Sequence, residues 1–74
     1  MSKKSDIQSY LLDQRRGDTV CVKWLRSDLS DCADIRASRS TIRAALNEMR
    51  IQGQAQRWGG GRSVRWHINT KPVQ

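Results

Sequence analysis

Three arginines and one asparagine recur at helical spacing in the second half of the chain. Arg39, Arg43, Asn47 and Arg50 follow one another at intervals of four, four and three residues, so one side of an α-helix would carry all four. A guanidinium is planar and permanently charged, and it can hold a phosphate, or the O6 and N7 edge of a guanine, through two hydrogen bonds. An asparagine amide can pair with adenine. This side of the helix is a candidate surface for nucleic acid, and an ordinary solvated helix face is the alternative.

The same segment carries an apolar stripe that would dock it against a core. The members of this stripe recur at spacings of three and four, and they are Ile42, Ala45, Leu46 and Met49. We predict a helix from Arg39 towards Gly53 with Ser38 as its N-cap, and Asp34 is a competing cap if the helix begins earlier. Because such a helix must bury its apolar side, the arginines are expected to point outward.

The amino end of this helix offers hydroxyl groups. Ser38, Ser40 and Thr41 lie where the first backbone amides of a helix have no partner within it. Such an end attracts anions, so these residues are expected to hold one phosphate.

A β-hairpin is predicted after Gly53, because the pattern changes to period two. Residues 54–58 and 63–68 form two alternating runs, separated by residues 59–62 with three consecutive glycines. On the second run we expect the apolar side chains to cover the core, and these are Val64, Trp66 and Ile68. The arginines of the hairpin, Arg57, Arg62 and Arg65, would meet phosphates. Trp58 could pack beneath the hairpin or stand exposed, and core packing is preferred; His67 would face solvent or phosphate.

The first half of the chain is predicted to supply two helices and a short strand. A capping box of Ser5 and Gln8 would begin the first helix, and Gly17 would end it. A strand is expected at residues 19–22 and a second helix at residues 24–32, with Trp24 in the core. Asp28, Asp31 and Asp34 are expected to form an acidic edge of the second helix. Ile35 is expected to fix the following turn in the core.

The charge of the chain lies almost entirely in its second half. The net charge is +7 and the isoelectric point is near 10.5. Residues 1–34 hold six basic and six acidic side chains, whereas residues 35–74 hold eight basic ones and a single acid, Glu48. If the basic half folds onto one face, it will attract a phosphate backbone. The alternative is a solubilising surface.

Seventy-four residues allow one domain, which we place at residues 5–69 between flexible tails at 1–4 and 70–74. No nucleophile and base, carboxylate pair, phosphate loop or metal-ligand set is recognisable, so we expect no catalysis, metal or cofactor. Cys21 and Cys32 are interpreted as reduced and mostly buried, and His67 cannot complete a zinc site with them. The absence of a signal sequence or membrane span favours the cytoplasm.

The predicted order of helix, strand, helix, helix and hairpin resembles the winged helix-turn-helix family over about residues 5–69. The likeness is carried by the segment Ser38 to Leu46, by Gly53, and by the glycine-rich wing that ends in Val64 to Ile68. In size and in its closing strand the chain is also similar to fimbrial regulators of the PapI and FaeA type. The implied fold class is α+β, with three helices, a short strand and a C-terminal hairpin wing.

The family resemblance implies a sequence-specific protein for double-stranded DNA, such as a small bacterial, plasmid or phage transcriptional regulator at the nucleoid. The third helix would enter a major groove and the wing would lie on the backbone. The implied DNA-binding residues are Arg36, Ser38, Arg39, Ser40, Thr41, Arg43, Asn47, Arg50, Arg57, Arg62 and Arg65. A homodimer on DNA remains open, and no small-molecule ligand or membrane partner is expected. The alternatives are a protein-interaction adaptor of the same fold and a DNA-bending accessory of recombination or packaging.

Overall fold

The computed structural model describes residues 2–60 and 64–70, and its architecture is α+β, as expected. Three helices pack against one side of a three-stranded antiparallel sheet whose strand order is β1-β3-β2. The helices are α1 (Lys3–Gln14), α2 (Val22–Ala33) and α3 (Arg39–Ile51), and the strands are β1 (Thr19–Val20), β2 (Ala55–Trp58) and β3 (Arg65–Ile68). In the part of the chain that the structure describes, no helix has the length and apolar character to cross a membrane.

The apolar stripe of α3 forms the centre of the core, as its spacing predicts. All four members of the stripe are fully buried. They pack with residues of the other two helices and of the sheet, namely Ile7, Leu11, Val20, Leu25, Leu29, Ala55, Trp66 and Ile68. Ile35 is partly buried against this cluster, and Ser38 caps α3 by accepting a hydrogen bond from the amide of Thr41 at 3.2 Å. The predictions for the α3 boundary and for Ile35 are confirmed.

The first helix begins earlier than predicted. Ser2, and not Ser5, is the N-cap, and its hydroxyl accepts a hydrogen bond from the amide of Ser5 at 3.2 Å. The side chain of Gln8 does not return to Ser5 but donates to the carbonyl of Ala45 on α3 at 3.1 Å. The prediction of a flexible tail at residues 1–4 is therefore wrong for Lys3 and Lys4, which belong to the helix.

The second helix also begins early, because Cys21 is its N-cap. The thiol of Cys21 accepts a hydrogen bond from the amide of Trp24 at 3.5 Å, so β1 ends at Val20 and not at Val22. The helix then turns Leu25, Asp28 and Leu29 towards the core, which leaves Trp24 47% exposed. Both the predicted burial of Trp24 and the predicted helix start at residue 24 are wrong.

The two cysteines are less buried than predicted. Cys21 is partly exposed and Cys32, in the last turn of α2, is exposed. Their sulfur atoms form no disulfide with each other.

Asp28 is a buried residue and not part of the acidic edge that the sequence suggested. Its carboxylate accepts hydrogen bonds from the Arg15 guanidinium at 2.8 and 3.1 Å and from the Tyr10 hydroxyl at 2.9 Å. The bonds from Arg15 lower the pKa of Asp28, against the opposing effect of burial. This network joins the end of α1 to α2.

The last strand of the chain is the central strand of the sheet. β3 pairs with β2 in the predicted hairpin and with β1 on its other side. Directly paired residues of an antiparallel sheet lie on the same face. The inner face thus carries the pairs Ala55 with Ile68 and Arg57 with Trp66, together with Val20. The other face, which we call the outer face, carries Thr19, Gln56, Trp58, Arg65 and His67.

Candidate functional site

The polar side of α3 is exposed along its whole length, as predicted. Arg39, Arg43, Asn47 and Arg50 are all exposed, while the opposite side of the helix is buried. The first three line a concave groove of about 790 Å³, and Arg50 lies beyond it in the last turn. The predicted row of four residues therefore forms an exposed surface. Its first three residues line a groove to which other elements also contribute.

The groove lies where the first turn of α2, α3 and the hairpin meet. Its lining residues are Cys21, Val22, Lys23, Arg39, Arg43, Asn47, Arg57, Val64, Arg65 and Trp66, and we call the space that they enclose the basic groove. Five of these residues carry a positive charge, and none of the described lining residues is acidic. The electrostatic potential in the groove is therefore expected to be positive along this side of α3.

The cations of the basic groove are not neutralised by the ion pairs that the structure describes. Over residues 2–60 and 64–70, those pairs join Lys4 to Glu48, and Arg15 to Asp18 and Asp28. None of them involves a cation of the groove. A cluster of like charges outside the described ion pairs favours an anionic ligand that follows the groove.

The residues at the amino end of α3 behave differently from this cluster. The hydroxyls of Ser38 and Thr41 lie 3.0 Å apart and serve the helix cap. Ser38 and Arg36 line a separate hollow, together with Arg26 and Ser30. Ser40 and Thr41 are absent from the described lining of the basic groove. The predicted DNA-binding residues therefore do not form one site: some line the basic groove, and Arg36 and Ser38 line the separate hollow.

Two predicted wing arginines reach the basic groove, and the third falls outside the described residues. Arg57 is paired with Trp66 on the inner face and is one of the residues that line the groove. Arg65, the first residue of β3, also lines the groove. Arg62 belongs to residues 61–63, which the structure does not describe.

Lys23 is a member of the basic groove that the sequence did not predict. It was placed at the boundary between a strand and a helix, where no periodicity assigned it to a face. Lys23 could have been found if Cys21 had been recognised as the N-cap of α2. That cap places Lys23 in the first turn of α2, beside the hairpin.

Trp58 is exposed, against the preference for core packing. The residue is 51% exposed, and its ring lies parallel to the ring of His67, with centroids 5.3 Å apart and an interplanar angle of 2°. The reason is register: Trp58 is paired with Arg65, and both belong to the outer face. Trp66, in contrast, is buried as predicted.

Among the described residues, no group of three or more His, Cys, Asp or Glu side chains is arranged to hold a metal ion. The chain matches no protein-family model, no curated protein and no solved structure. Function must therefore be inferred from the geometry and charge of the basic groove.

Proposed function

We propose that this protein binds double-stranded DNA as a winged helix-turn-helix domain, with α3 in the major groove and one phosphate backbone along the basic groove. The observation that carries the proposal is the meeting of five cations from α2, α3 and the hairpin beside an exposed helix face, with no acidic residue in the described lining. The order of elements and the sheet order β1-β3-β2 agree with the fold that the sequence resembles.

The dimensions of α3 suit this role. An α-helix with its side chains is about 10–12 Å wide, and the major groove of B-DNA is about 12 Å wide. Arg39 and Arg43 lie in the first half of α3, where helices of this class contact base edges. Asn47, one turn further along the same side, is suited to adenine. In this arrangement α3 supplies sequence preference.

The remaining cations serve the phosphate backbone. Lys23 reaches the basic groove from α2, and Arg57 and Arg65 reach it from the hairpin, so α2 and the hairpin together hold one strand in register. Phosphate contacts fix orientation without reading sequence. A small domain with this division of labour fits a bacterial, plasmid or phage transcriptional regulator that acts in the cytoplasm, at the nucleoid.

Titration of labelled duplexes at several salt concentrations tests the proposal. With Lys23, Arg57 and Arg65 on phosphates, the logarithm of the association constant is expected to fall against the logarithm of salt concentration with a slope of about −3, steepening to about −4 to −5 where Arg39 and Arg43 also reach phosphates. Selection from random duplexes should then enrich a defined site. Absence of binding to any duplex at about 50 mM salt, where electrostatic binding is strong, would contradict the proposal.

A further inference from the structure

We propose that the outer face of the sheet holds an unpaired nucleobase against Trp58, so that the protein prefers duplex DNA that carries a single-stranded extension. This inference rests on the proposed function for the class of ligand, but it concerns another surface. Trp58 points away from the inner face to which Arg57 and Trp66 belong.

Among the described residues, the ring of Trp58 is stacked on His67 alone, which leaves its second aromatic face available. Its other face lies against His67 in a parallel stack, with ring centroids 5.3 Å apart. The residue as a whole is 51% exposed. A nucleobase placed on the free side would continue the stack, and every base has a flat face of the required kind.

The ring is held in this orientation before any ligand binds. The indole Nε1 donates a hydrogen bond to Oε1 of Gln56 at 3.1 Å. His67 is fixed in turn, because its Nδ1 lies 3.0 Å from the hydroxyl oxygen of Thr19 on β1. A side chain whose orientation is already fixed loses little conformational entropy on binding. All three strands therefore contribute to one preorganised surface.

The charge beside the ring favours a nucleotide over other flat ligands. Arg65 is exposed and directly paired with Trp58 on the outer face, and the strand residues of this face include no acid. A base that stacks on Trp58 would have its phosphate within the positive field of this guanidinium. Basic grooves with aromatic rings are the usual means of holding single strands.

Arg65 also connects the outer face to the basic groove, because it is among the residues that line that groove. A duplex along the groove would bring its end to the edge of the sheet. A strand that continues unpaired past this edge would reach Trp58. The two surfaces together fit a junction between double-stranded and single-stranded DNA.

The test compares one duplex in three forms: blunt, with a short single-stranded extension, and with an extension of equal length made of abasic residues. Fluorescence anisotropy should show that the wild-type protein binds the base-containing extension about tenfold more tightly than the blunt duplex. The abasic extension should give much less gain, because it keeps the phosphates and lacks the bases. Trp58→Ala should abolish the gain while leaving affinity for the blunt duplex unchanged.

Ile51→Ala is the control, because Ile51 is an exposed large apolar residue of α3 that lies outside the outer face. It should keep the tenfold gain. Equal wild-type affinity for the blunt and extended duplexes would overturn the inference, and so would an equal gain from the abasic extension. Conversion of a dimer to a monomer by Trp58→Ala, measured by sedimentation, would also overturn it, since the face would then join two copies of the chain. The proposed function fails separately, if the wild-type protein binds no blunt duplex at about 50 mM salt.

Discussion

The guanidinium of Arg15 holds the carboxylate of Asp28 through two hydrogen bonds, at 2.8 and 3.1 Å, across the contact between α1 and α2. Asp28 is only 8% exposed, and its carboxylate also accepts a hydrogen bond from the hydroxyl of Tyr10. Because Arg15 also lies over the ring of Trp24, at 5.2 Å from its centroid, one cation connects the end of α1 to two side chains of α2. The stability of the domain should depend on this arrangement.

Acid should weaken the domain through Asp28. The pKa of Asp28 is lowered by the hydrogen bonds from Arg15, so its stabilising effect is complete above the ordinary aspartate pKa of about 3.9. It is lost as the pH falls through the lowered folded-state pKa. Thermal melting from pH 7 to pH 2 should show a falling Tm below about pH 4.

Asp28→Asn should reduce the free energy of unfolding at pH 7 by about 1–3 kcal/mol, because the charged hydrogen bonds with Arg15 are lost. Its acid dependence should be shallower, and part should remain because Lys4 lowers the pKa of Glu48 as well. Asp31→Asn is the control, since Asp31 is exposed on the same helix. Equal acid profiles for the wild type and Asp28→Asn would contradict this assignment.

Arg43→Ala should weaken specific duplex binding by about 1–3 kcal/mol, because Arg43 lies on the exposed side of α3 within the basic groove. Its Tm should equal that of the wild type. Arg16→Ala removes the same charge from outside the groove, where Arg16 bonds to the carbonyl of Leu12. Anisotropy titrations of the two variants should differ; equal losses would mean that net charge alone governs binding.

Lys23→Ala should weaken binding to all duplexes by a similar factor, because its contact is with phosphate. The slope of the logarithm of affinity against the logarithm of salt concentration should decrease in magnitude by about one. Titrations of a selected and an unrelated duplex at four salt concentrations provide the measurement. A loss restricted to the selected duplex would instead identify Lys23 as a base contact.

Leu46→Ala should lower the free energy of unfolding by about 2–5 kcal/mol, because Leu46 is fully buried at the centre of the core. Urea denaturation measures this loss. Ile51→Ala on the same helix is the control: Ile51 is 86% exposed, and its truncation should change stability by less than about 0.5 kcal/mol. Similar losses for both variants would disagree with the described orientation of α3.

The parts of the fold that were predictable from sequence are those fixed by local periodicity. α3 was located with its cap and both of its faces, because apolar residues at intervals of three and four permit one orientation only. The hairpin was located because alternation and glycines are also local signals. Trp66 and Ile68 are accordingly buried where they were expected.

The errors arose where contacts between distant segments decide the outcome. Asp28 resembles a surface residue until Arg15, thirteen residues earlier, is placed against it. Trp24 and Cys21 were misassigned because a cysteine is an uncommon helix cap, and an error of two residues in the start of α2 changes which side chains face the core. Exposure of Trp58 follows from its register with Arg65, which alternation alone does not fix.

The candidate site was predicted in the same uneven way. The helical row of Arg39, Arg43 and Asn47 followed from spacing, whereas its meeting with Arg57, Arg65 and Lys23 follows from packing. Arg36 was included for its charge, but it lies in a separate hollow. Periodicity can predict which residues share one face of one helix or strand. It cannot predict a groove, because a groove is lined by several elements.

The central position of β3 has a consequence for the order in which the molecule can be made. During synthesis β1 and β2 emerge from the ribosome before the strand with which both of them pair. Neither can satisfy its backbone hydrogen bonds in the sheet until Ile68 is available. A nascent chain therefore lacks the hairpin wall of the basic groove, and an incomplete product should be unable to occupy a binding site in competition with finished protein.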